Sequence, residues 1–196
     1  MTTFSLAAGP TSARLGSLRG TVLELGPGAG GNLRHYHPGV RWVGVEPNAR
    51  HRRLTRREAT RLGRGAEVLP GSAERLALAD GSVDAAVATF VLCSVADPAA
   101  ALAELYRVLR PGGRYVFAEH VAAPAGTWLR RGQRLWGAAT SAVGCRPDRE
   151  SLAAIELAGF EVVELHKYVL PGPFGAGIPH VAGAAVRPVN TKGITR

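Results

Sequence analysis

Short apolar runs rich in β-branched residues alternate with longer amphipathic stretches from Thr21 onward. This alternation predicts strand–helix–strand units around a mostly parallel sheet, because the connecting helices cover both faces of such a sheet. Seven strands are predicted, over residues 21–25, 41–45, 66–69, 83–88, 114–118, 161–166 and 181–186. The fold class is therefore α/β, with a doubly wound, seven-stranded sheet.

Amphipathic helices are predicted in most of the gaps between these strands. The best-marked one covers residues 98–109, where Asp97 is a suitable N-cap, Pro98 takes the first helical position and leucines recur on one face. The Pro-Gly-Gly sequence at 111–113 then predicts a stop and a turn. Two more helices are expected, over 127–143 and after Pro147, the second capped by Asp148 or a residue near it.

A chain of 196 residues with 46% hydrophobic side chains fits one domain with a continuous core. We expect that domain over residues 1–187, with a short lead over 1–20 and a loose tail over 188–196. No apolar run approaches the ~20 residues of a transmembrane helix. Residues 1–14 also lack the pattern of a secretory signal peptide, so a cytoplasmic location is expected.

The net charge of +9 raises the question of an acidic partner. Only two of the 24 basic residues are lysines, in a chain rich in alanine and glycine, and this bias is typical of genome composition rather than of a function. The densest basic cluster comprises Arg50, Arg52, Arg53, Arg56, Arg57, Arg61 and Arg64. Its spacing places several arginines on one helical face, which we interpret as solvated. Docking of nucleic acid or another acidic partner on this face is the alternative.

The first predicted strand leads directly into a glycine-rich turn. Residues 24–31 read Glu-Leu-Gly-Pro-Gly-Ala-Gly-Gly, so glycines occur where backbone must approach a ligand without a Cβ in the way. Glu46 ends the second strand, 20 residues after Gly26. At that distance a carboxylate on the neighbouring strand reaches the two ribose hydroxyls of a nucleoside. The turn and the spaced acid together predict a nucleoside-containing cofactor.

The same turn also fits the dinucleotide pattern Gly-x-Gly-x-x-Gly through Gly26, Gly28 and Gly31. A nicotinamide cofactor is disfavoured, because Glu24 puts a carboxylate just before the turn, where it would repel a pyrophosphate. The chain also has no Tyr-x-x-x-Lys pair for hydride transfer and no room for a separate catalytic domain. A cofactor with a cationic amino group suits this carboxylate better.

Several segments resemble the motifs of class I S-adenosylmethionine-dependent methyltransferases. The stretches concerned are 23–32 for the first motif, 45–48 for the acidic second motif, 70–74 for the loop after the third strand, and 83–95 and 109–113 for the later motifs. More narrowly, the chain resembles the methyltransferase-like protein 7 group, which is associated with thiol S-methylation and whose animal members are membrane-anchored. The stretches that carry this second resemblance are 90–95, 119–122, 144–145, 149–151 and 179–180.

This resemblance implies a Rossmann-like fold with an antiparallel last strand, S-adenosylmethionine as cofactor and S-adenosylhomocysteine as product. The cofactor-binding residues that it implies are Glu24, Gly26, Pro27, Gly28, Ala29, Gly30 and Asn32 for the methionine part, Glu46, Pro47 and Asn48 for the ribose, Ser72, Ala73 and Glu74 for the adenine, and Thr89 and Val91 at the methionine end of the cleft. Ser72 departs from the acid that many relatives have there. Few residues precede the first strand, so most of the helix that usually covers the cofactor, and any membrane anchor, are expected to be missing.

The acceptor is predicted to be a small molecule with a nucleophilic atom, such as a thiol. His120, which follows the fifth predicted strand beside Glu119, is the candidate catalytic residue and would assist deprotonation or orient the acceptor. A loop or core histidine with one hydrogen bond is the alternative. Candidates for an apolar wall over the methyl group are Trp128, Trp136, Phe174 and Ile178, although the tryptophans also suit a helix core.

No metal site is predicted. Cys93 and Cys145 are far apart in the sequence and form no Cys-x-x-Cys pair, and His35 and His37 lack further ligands at metal spacing. Cys93 lies in an apolar run and is interpreted as a core thiol. Cys145 is interpreted as more exposed, with no neighbour in the sequence that lowers its pKa.

Two other functions stay open at this point. One is an RNA or protein methyltransferase that docks through the arginine-rich helix, which predicts salt-sensitive binding to nucleic acid. The other is a non-catalytic module that binds the cofactor for a partner protein.

Overall fold

Five α-helices and seven β-strands make up the part of the chain that the structure describes. The computed structural model describes residues 10–140, 145–171 and 177–189. The helices are α1 (Pro10–Ser17), α2 (Ala49–Arg61), α3 (Pro98–Val108), α4 (Trp128–Thr140) and α5 (Ser151–Leu157). The strands are β1 (Thr21–Leu25), β2 (Arg41–Val45), β3 (Glu67–Leu69), β4 (Val83–Thr89), β5 (Leu109–His120), β6 (Glu161–Pro171) and β7 (Gly177–Val186). None of these helices has the length and apolar composition that spanning a bilayer requires.

The strands form one mixed sheet in the order β3-β2-β1-β4-β5-β7-β6. Neighbouring strands from β3 to β5 run parallel, whereas β7 runs antiparallel to both β5 and β6. The predicted seven-stranded, mostly parallel sheet with an antiparallel last strand is confirmed. The strand order reverses between β1 and β4, and in open α/β sheets ligands bind at the carboxyl ends of the strands near such a reversal.

Two hydrophobic clusters cover the two faces of the sheet. Along β4, Ala86 and Ala88 belong to one cluster, whereas Ala85 and Val87 belong to the other. This assignment follows from strand geometry, in which successive side chains point to opposite faces. The first cluster includes the apolar stripe of α3 and Ile155 of α5, and the second includes side chains of α1 and α2. Both faces of β4 are therefore buried, which explains its nearly continuous apolar sequence.

The lead over residues 1–20 carries more structure than its sequence predicts. Its described part forms α1, and Leu15 and Leu18 are almost completely buried. These leucines pack in the second cluster together with Tyr36 and Trp42. The lead therefore contributes to the core instead of only leading into the first strand.

Three strands are several residues longer than predicted. β5 begins at Leu109 and includes the Pro-Gly-Gly sequence that predicts a turn. Leu109 pairs with Val83, and the register then shifts before Ala85, so an irregularity in the ladder accommodates these residues. β6 continues to Pro171 and β7 begins at Gly177, and the two strands form a long antiparallel pair. Their added residues pair because a partner strand is present, a context that local propensity does not reveal.

The predicted N-caps of α3 and α5 differ in outcome. α3 is capped as predicted, because the Asp97 carboxylate accepts the N–H groups of Ala99 and Ala100 at 2.9 and 3.1 Å. α5 begins at Ser151 with Glu150 in the N-cap position, and no side chain bonds to its first turn there. The N-cap position thus falls on a residue near Asp148, as predicted, and not on Asp148 itself.

Arginines of the basic cluster hold α2 against the sheet. Arg52 donates to the carbonyl oxygens of Glu46 and Pro47 at 2.9 and 2.7 Å. Arg56 donates to the carbonyl oxygen of Val68 at 2.7 Å. Part of the cluster therefore has an intramolecular role. Its exposed members include Arg50, Arg53 and Arg57.

Candidate functional site

A cleft of about 420 Å³ lies at the carboxyl ends of β1, β2 and β4, where the strand order reverses. The glycine-rich turn after β1, the end of β2, the loop after β3 and the turn after β4 border it. The lining residues are Gly26, Gly28, Val45, Glu46, Pro47, His51, Ser72, Ala73, Glu74, Phe90, Val91, Ser94, Val95 and Ala96. The cleft is therefore built where this class of sheet binds its ligands.

The glycine-rich turn leaves its backbone open toward the cleft. Gly26 and Gly28 have φ angles of 55° and 57°, a conformation that residues with a Cβ rarely adopt. A Cβ on Gly26 would approach Val91 to 3.1 Å, whereas no heavy atom lies within 4 Å of the place that a Cβ on Gly28 would take. At Gly28 the main chain can thus come close to a bound molecule.

Glu46 presents a nearly buried carboxylate at the edge of the cleft. Its Oε1 accepts the N–H of Asn48 at 2.8 Å, and its Oε2 accepts the N–H of Gly28 at 3.1 Å. A carboxylate offers about four acceptor positions, so both oxygens can still accept from further donors. The carboxylate is thus fixed in place and able to accept from two neighbouring hydroxyl groups.

Glu24 lies behind the glycine-rich turn and does not line the cleft. Its carboxylate is 1% exposed and accepts hydrogen bonds from Asn32, Tyr36 and Trp42 at 2.8 to 2.9 Å. Asn32 also donates to Thr89 at 3.1 Å, which ties the turn to the end of β4. Burial raises the pKa of Glu24 against the opposing effect of its three donors. Glu24 therefore holds the turn in place, and its contact with a cofactor stays a prediction.

Glu119 fixes the turn after β4. Its carboxylate is completely buried and accepts the N–H groups of Val91, Leu92 and Cys93 at 2.9, 3.0 and 3.4 Å. Burial raises the pKa of Glu119 to about 7 even though these three bonds lower it. Because Val91 lines the cleft, this buried side chain sets the shape of one wall.

Glu74 connects the loop after β3 to the same wall. Its Oε1 accepts the N–H groups of Ala96 and Asp97 at 2.9 and 3.4 Å. Ser72, from the same loop, also bonds to the Glu74 carboxylate. The predicted adenine edge is therefore a hydrogen-bonded unit of the fold.

Phe90 separates the cleft from a group of aromatic side chains. Among the described residues other than glycine, it is the one with a positive φ, 57°. Such a backbone costs about 1–3 kcal/mol and is concentrated at functional sites. The Phe90 ring lies 4.7 Å from that of His120 and 5.6 Å from that of His180. The strained backbone therefore places an aromatic ring between the cleft and these histidines.

A second cavity, of about 580 Å³, adjoins this aromatic group. Most of its lining residues are apolar and come from the segment after β5, from α5 and from the β6–β7 pair. His180 and Tyr168 line it with their rings stacked 5.3 Å apart. Because His180 Nδ1 lies 2.7 Å from the carbonyl oxygen of Ile178, the neutral ring donates from Nδ1 and keeps Nε2 as an acceptor. Burial lowers the pKa of His180, which favours this neutral form.

Cys93, His120 and Cys145 meet next to the aromatic group. Cys93 Sγ lies 3.4 Å from His120 Nδ1, and the sulfur and nitrogen atoms of all three lie within 4.8 Å of one another. The hydrogen bond from Cys93 and the charge of Arg149 lower the pKa of Cys145. Burial lowers the pKa of His120 to about 4, with a further contribution from His180. The contact with Cys93 has no signal in the sequence around Cys145, because the two cysteines are close only in space.

The structure brings only part of the predicted cofactor site to the cleft. The predicted residues that line it are Gly26, Gly28, Glu46, Pro47, Ser72, Ala73, Glu74 and Val91. The predicted residues outside its lining are Glu24, Pro27, Ala29, Gly30, Asn32, Asn48 and Thr89. Lining residues that are not among the predicted cofactor-binding residues are Val45, His51, Phe90, Ser94, Val95 and Ala96. The apolar run that follows β4 is the feature of the sequence that could have indicated Phe90, Ser94, Val95 and Ala96.

Neither tryptophan of the predicted apolar wall lines the second cavity, and neither is a core residue of its helix. Trp128 and Trp136 are 76% and 48% exposed on α4. Arg130 of the same helix lines the second cavity instead. The carbonyl oxygen of Ile178 is the hydrogen-bond partner of His180 Nδ1. Phe174 lies outside the described residues.

Comparison with known proteins places the chain among methyltransferases. Residues 23–117 match a family described as a methyltransferase domain. The human thiol S-methyltransferase TMT1B is 38% identical over 190 residues, which cover 94% of this chain and 76% of that protein. Human thiol S-methyltransferase TMT1A is 37% identical over 172 residues, covering 85% of this chain and 70% of that protein.

Solved structures share the fold at much lower identity. A structure from Bacillus halodurans described as a methyltransferase superimposes with a TM-score of 0.78 at 19% identity, covering 92% of this chain and all of that one. The geranyl diphosphate C-methyltransferase of Streptomyces coelicolor, solved with S-adenosylhomocysteine, superimposes with a TM-score of 0.69 at 20% identity. That match covers 89% of this chain and 76% of the other.

Proposed function

The chain belongs to the family of S-adenosylmethionine-dependent methyltransferases that includes the thiol S-methyltransferases, and we propose that it methylates the sulfur of a small, apolar thiol. The methyl transfer is the activity of the family, whereas the acceptor is our proposal. Two of its relatives carry that acceptor class in their names. A cytoplasmic location stays a prediction from the sequence.

The cleft fits the cofactor of this family, S-adenosylmethionine. When bound, the cofactor supplies a methyl group on a positively charged sulfur, already activated for displacement. We assign Glu46 to the two ribose hydroxyls, because its fixed carboxylate can accept from both. The open backbone at Gly28 suits the close approach of the amino-acid part, and the loop of Ser72 and Glu74 suits the adenine edge.

One observation carries the proposal for the acceptor. Phe90 lines the cofactor cleft, and its ring contacts His180, which lines the adjoining cavity of about 580 Å³. The contact between Phe90 and His180 thus connects the lining of the cavity to the lining of the cleft. The cavity is lined mainly by apolar side chains, so it favours an apolar molecule with a single reactive atom.

The residues between cavity and cleft suit a displacement reaction. Such a transfer needs the nucleophile held in line with the methyl group and water kept out. Phe90, His120 and Tyr168 supply aromatic surface for both purposes. The thiolate, not the thiol, is the nucleophile, so stabilisation of the thiolate by the site gives a strong nucleophile at neutral pH. We assign His120, next to Cys93, to orienting the acceptor sulfur.

Matched thiols and alcohols of the same carbon skeleton test the proposal. The rate of S-adenosylhomocysteine formation is measured for each pair, from short to long chains. Thiols should react and the matched alcohols should not, and kcat/KM for the thiols should rise about fourfold per added methylene, the equivalent of ~0.8 kcal/mol of apolar burial. Equal rates for thiols and alcohols, or no dependence on chain length, would contradict the proposal.

A variant that narrows the cavity locates the acceptor. Ala122 lines the cavity and is half-buried, so Ala122→Leu should reduce kcat/KM for long thiols more than for short ones. Ala49→Leu, at the exposed start of α2, is the matched control and should leave both unchanged. Loss for short and long thiols alike would place the acceptor elsewhere.

A further inference from the structure

Three side chains with sulfur or nitrogen donor atoms converge beside the cofactor cleft. Cys93 follows β4, His120 ends β5 and Cys145 follows α4, so each comes from a different segment. Cys93 Sγ and His120 Nδ1 are 3.4 Å apart, and all three donor atoms lie within 4.8 Å of one another. Cys93 is buried and the other two side chains are half-buried, so the cluster is both enclosed and reachable.

Hydrogen bonds next to the donors tie these segments together. The N–H of Arg146, next to Cys145, donates to the carbonyl oxygen of Cys93 at 2.7 Å. The hydroxyl of Ser151 donates to the carbonyl oxygen of His120 at 3.1 Å. These hydrogen bonds involve Cys93, His120 and the residue next to Cys145, so the fold fixes the relative positions of the three side chains. Such preorganisation is what a ligand site requires of its scaffold.

We propose that Cys93, His120 and Cys145 bind a thiophilic divalent metal ion of the Zn²⁺ class, with a fourth coordination position open to an external thiol. Two cysteines and one histidine form a donor set of catalytic zinc sites, which keep the fourth position for water or substrate. Ligands of a tetrahedral zinc ion lie about 3.5–3.8 Å from one another, as Zn–S and Zn–N bonds of about 2.3 and 2.1 Å require. The 3.4 Å separation of Cys93 Sγ and His120 Nδ1 is close to this distance.

The position of the cluster gives the ion a role next to the cofactor. Cys93 Sγ lies 3.5 Å from the hydroxyl of Ser94, and Ser94 lines the cofactor cleft. Loading releases the protons of the two cysteine thiols to water. An acceptor thiol that enters the fourth position binds as its thiolate and releases its own proton to water, so the ion performs the deprotonation. This role rests on the proposed thiol acceptor, whereas metal binding itself does not.

Direct metal binding tests the site without any enzyme assay. The reduced, metal-free protein is titrated with Zn²⁺ in competition with a chromophoric chelator, and then with Co²⁺, whose absorption reports thiolate ligands. We expect about one tightly bound ion per chain. Cys145→Ser and His120→Ala should each weaken binding by at least about tenfold. His37→Ala, an exposed histidine elsewhere, is the matched control and should bind as the wild type does.

Circular dichroism separates loss of the site from loss of the fold. Cys145→Ser is the main variant because its side chain is half-buried and its replacement nearly isosteric. Absence of zinc binding by the reduced wild type, or equal binding by wild type and both ligand variants, would overturn the proposal. A Cys93–Cys145 disulfide in the native protein, with no binding after reduction, would overturn it too. Full-rate thiol methylation by metal-free protein would refute the role of the ion and leave the proposed function standing.

Discussion

Replacing Glu46 by glutamine removes one acceptor oxygen from the edge of the cofactor cleft. In the wild type, Oε1 and Oε2 accept the N–H groups of Asn48 and Gly28 at 2.8 and 3.1 Å. The glutamine amide puts an N–H₂ group against one of these donors and also lacks the charge that strengthens bonds to two hydroxyls. A hydrogen bond to a charged group contributes about 1.5–3 kcal/mol. We therefore expect the Kd for S-adenosylmethionine to rise by about 10- to 100-fold.

Isothermal titration calorimetry with S-adenosylmethionine and S-adenosylhomocysteine measures this change. Both ligands share the ribose, so both should weaken by a similar factor. Glu67→Gln is the matched control, because Glu67 is half-exposed on β3 and outside the cleft lining. Thermal unfolding without ligand shows whether the variant remains folded. A folded Glu46→Gln protein whose Kd stays within about twofold of the wild-type value would refute the assignment of Glu46 to the ribose.

Three further predictions concern the stability of the fold around the cleft. Leu105 is completely buried on α3, so Leu105→Ala should lower the free energy of unfolding in urea by about 2–5 kcal/mol. The control is Leu157→Ala, at an 88% exposed position, which should change this free energy by less than about 0.5 kcal/mol. Asp97→Ala removes the N-cap of α3 and should cost about 1 kcal/mol in the same assay. Glu104→Gln should cost about 1–2 kcal/mol at pH 7, because hydrogen bonds from Arg107 hold the pKa of Glu104 below its ordinary 4.5. A pKa that is lower in the folded than in the unfolded protein contributes stability above pH 4.5, and this stability is lost as the pH falls through the pKa of the folded protein. The destabilisation caused by Glu104→Gln should therefore shrink in acid. A difference in stability from the wild type that does not depend on pH would contradict this role of Glu104.

The arrangement of strands could be predicted because it depends on local patterns. Each apolar run lies within one strand, and the glycine-rich turn and the spacing to Glu46 lie within the segment from β1 to the end of β2. Each of these features acts over about 20 residues or fewer, so a single segment carries the whole signal. The capping of α3 by Asp97 is predictable for the same reason.

The cluster of Cys93, His120 and Cys145 beside the cleft could not be predicted because its members are distant in sequence. Cys93, His120 and Cys145 approach one another only after β4, β5 and the segment behind α4 have taken their places. The sequence predicts that Glu24 faces a ligand, yet three donors from the following turn and strand enclose its carboxylate. The positive φ of Phe90 likewise has no local signal, since phenylalanine rarely adopts it.

Transfer of an isotopically labelled methyl group shows directly whether the protein methylates a thiol sulfur. Wild-type protein is incubated with S-adenosylmethionine that carries a deuterated methyl group and with a long-chain apolar thiol, and the products are identified by mass spectrometry. We expect the labelled methyl group on the acceptor sulfur, in amounts equal to the S-adenosylhomocysteine formed. Protein that binds S-adenosylmethionine but leaves every such thiol unlabelled, or that labels an oxygen or nitrogen atom in its place, would contradict the account.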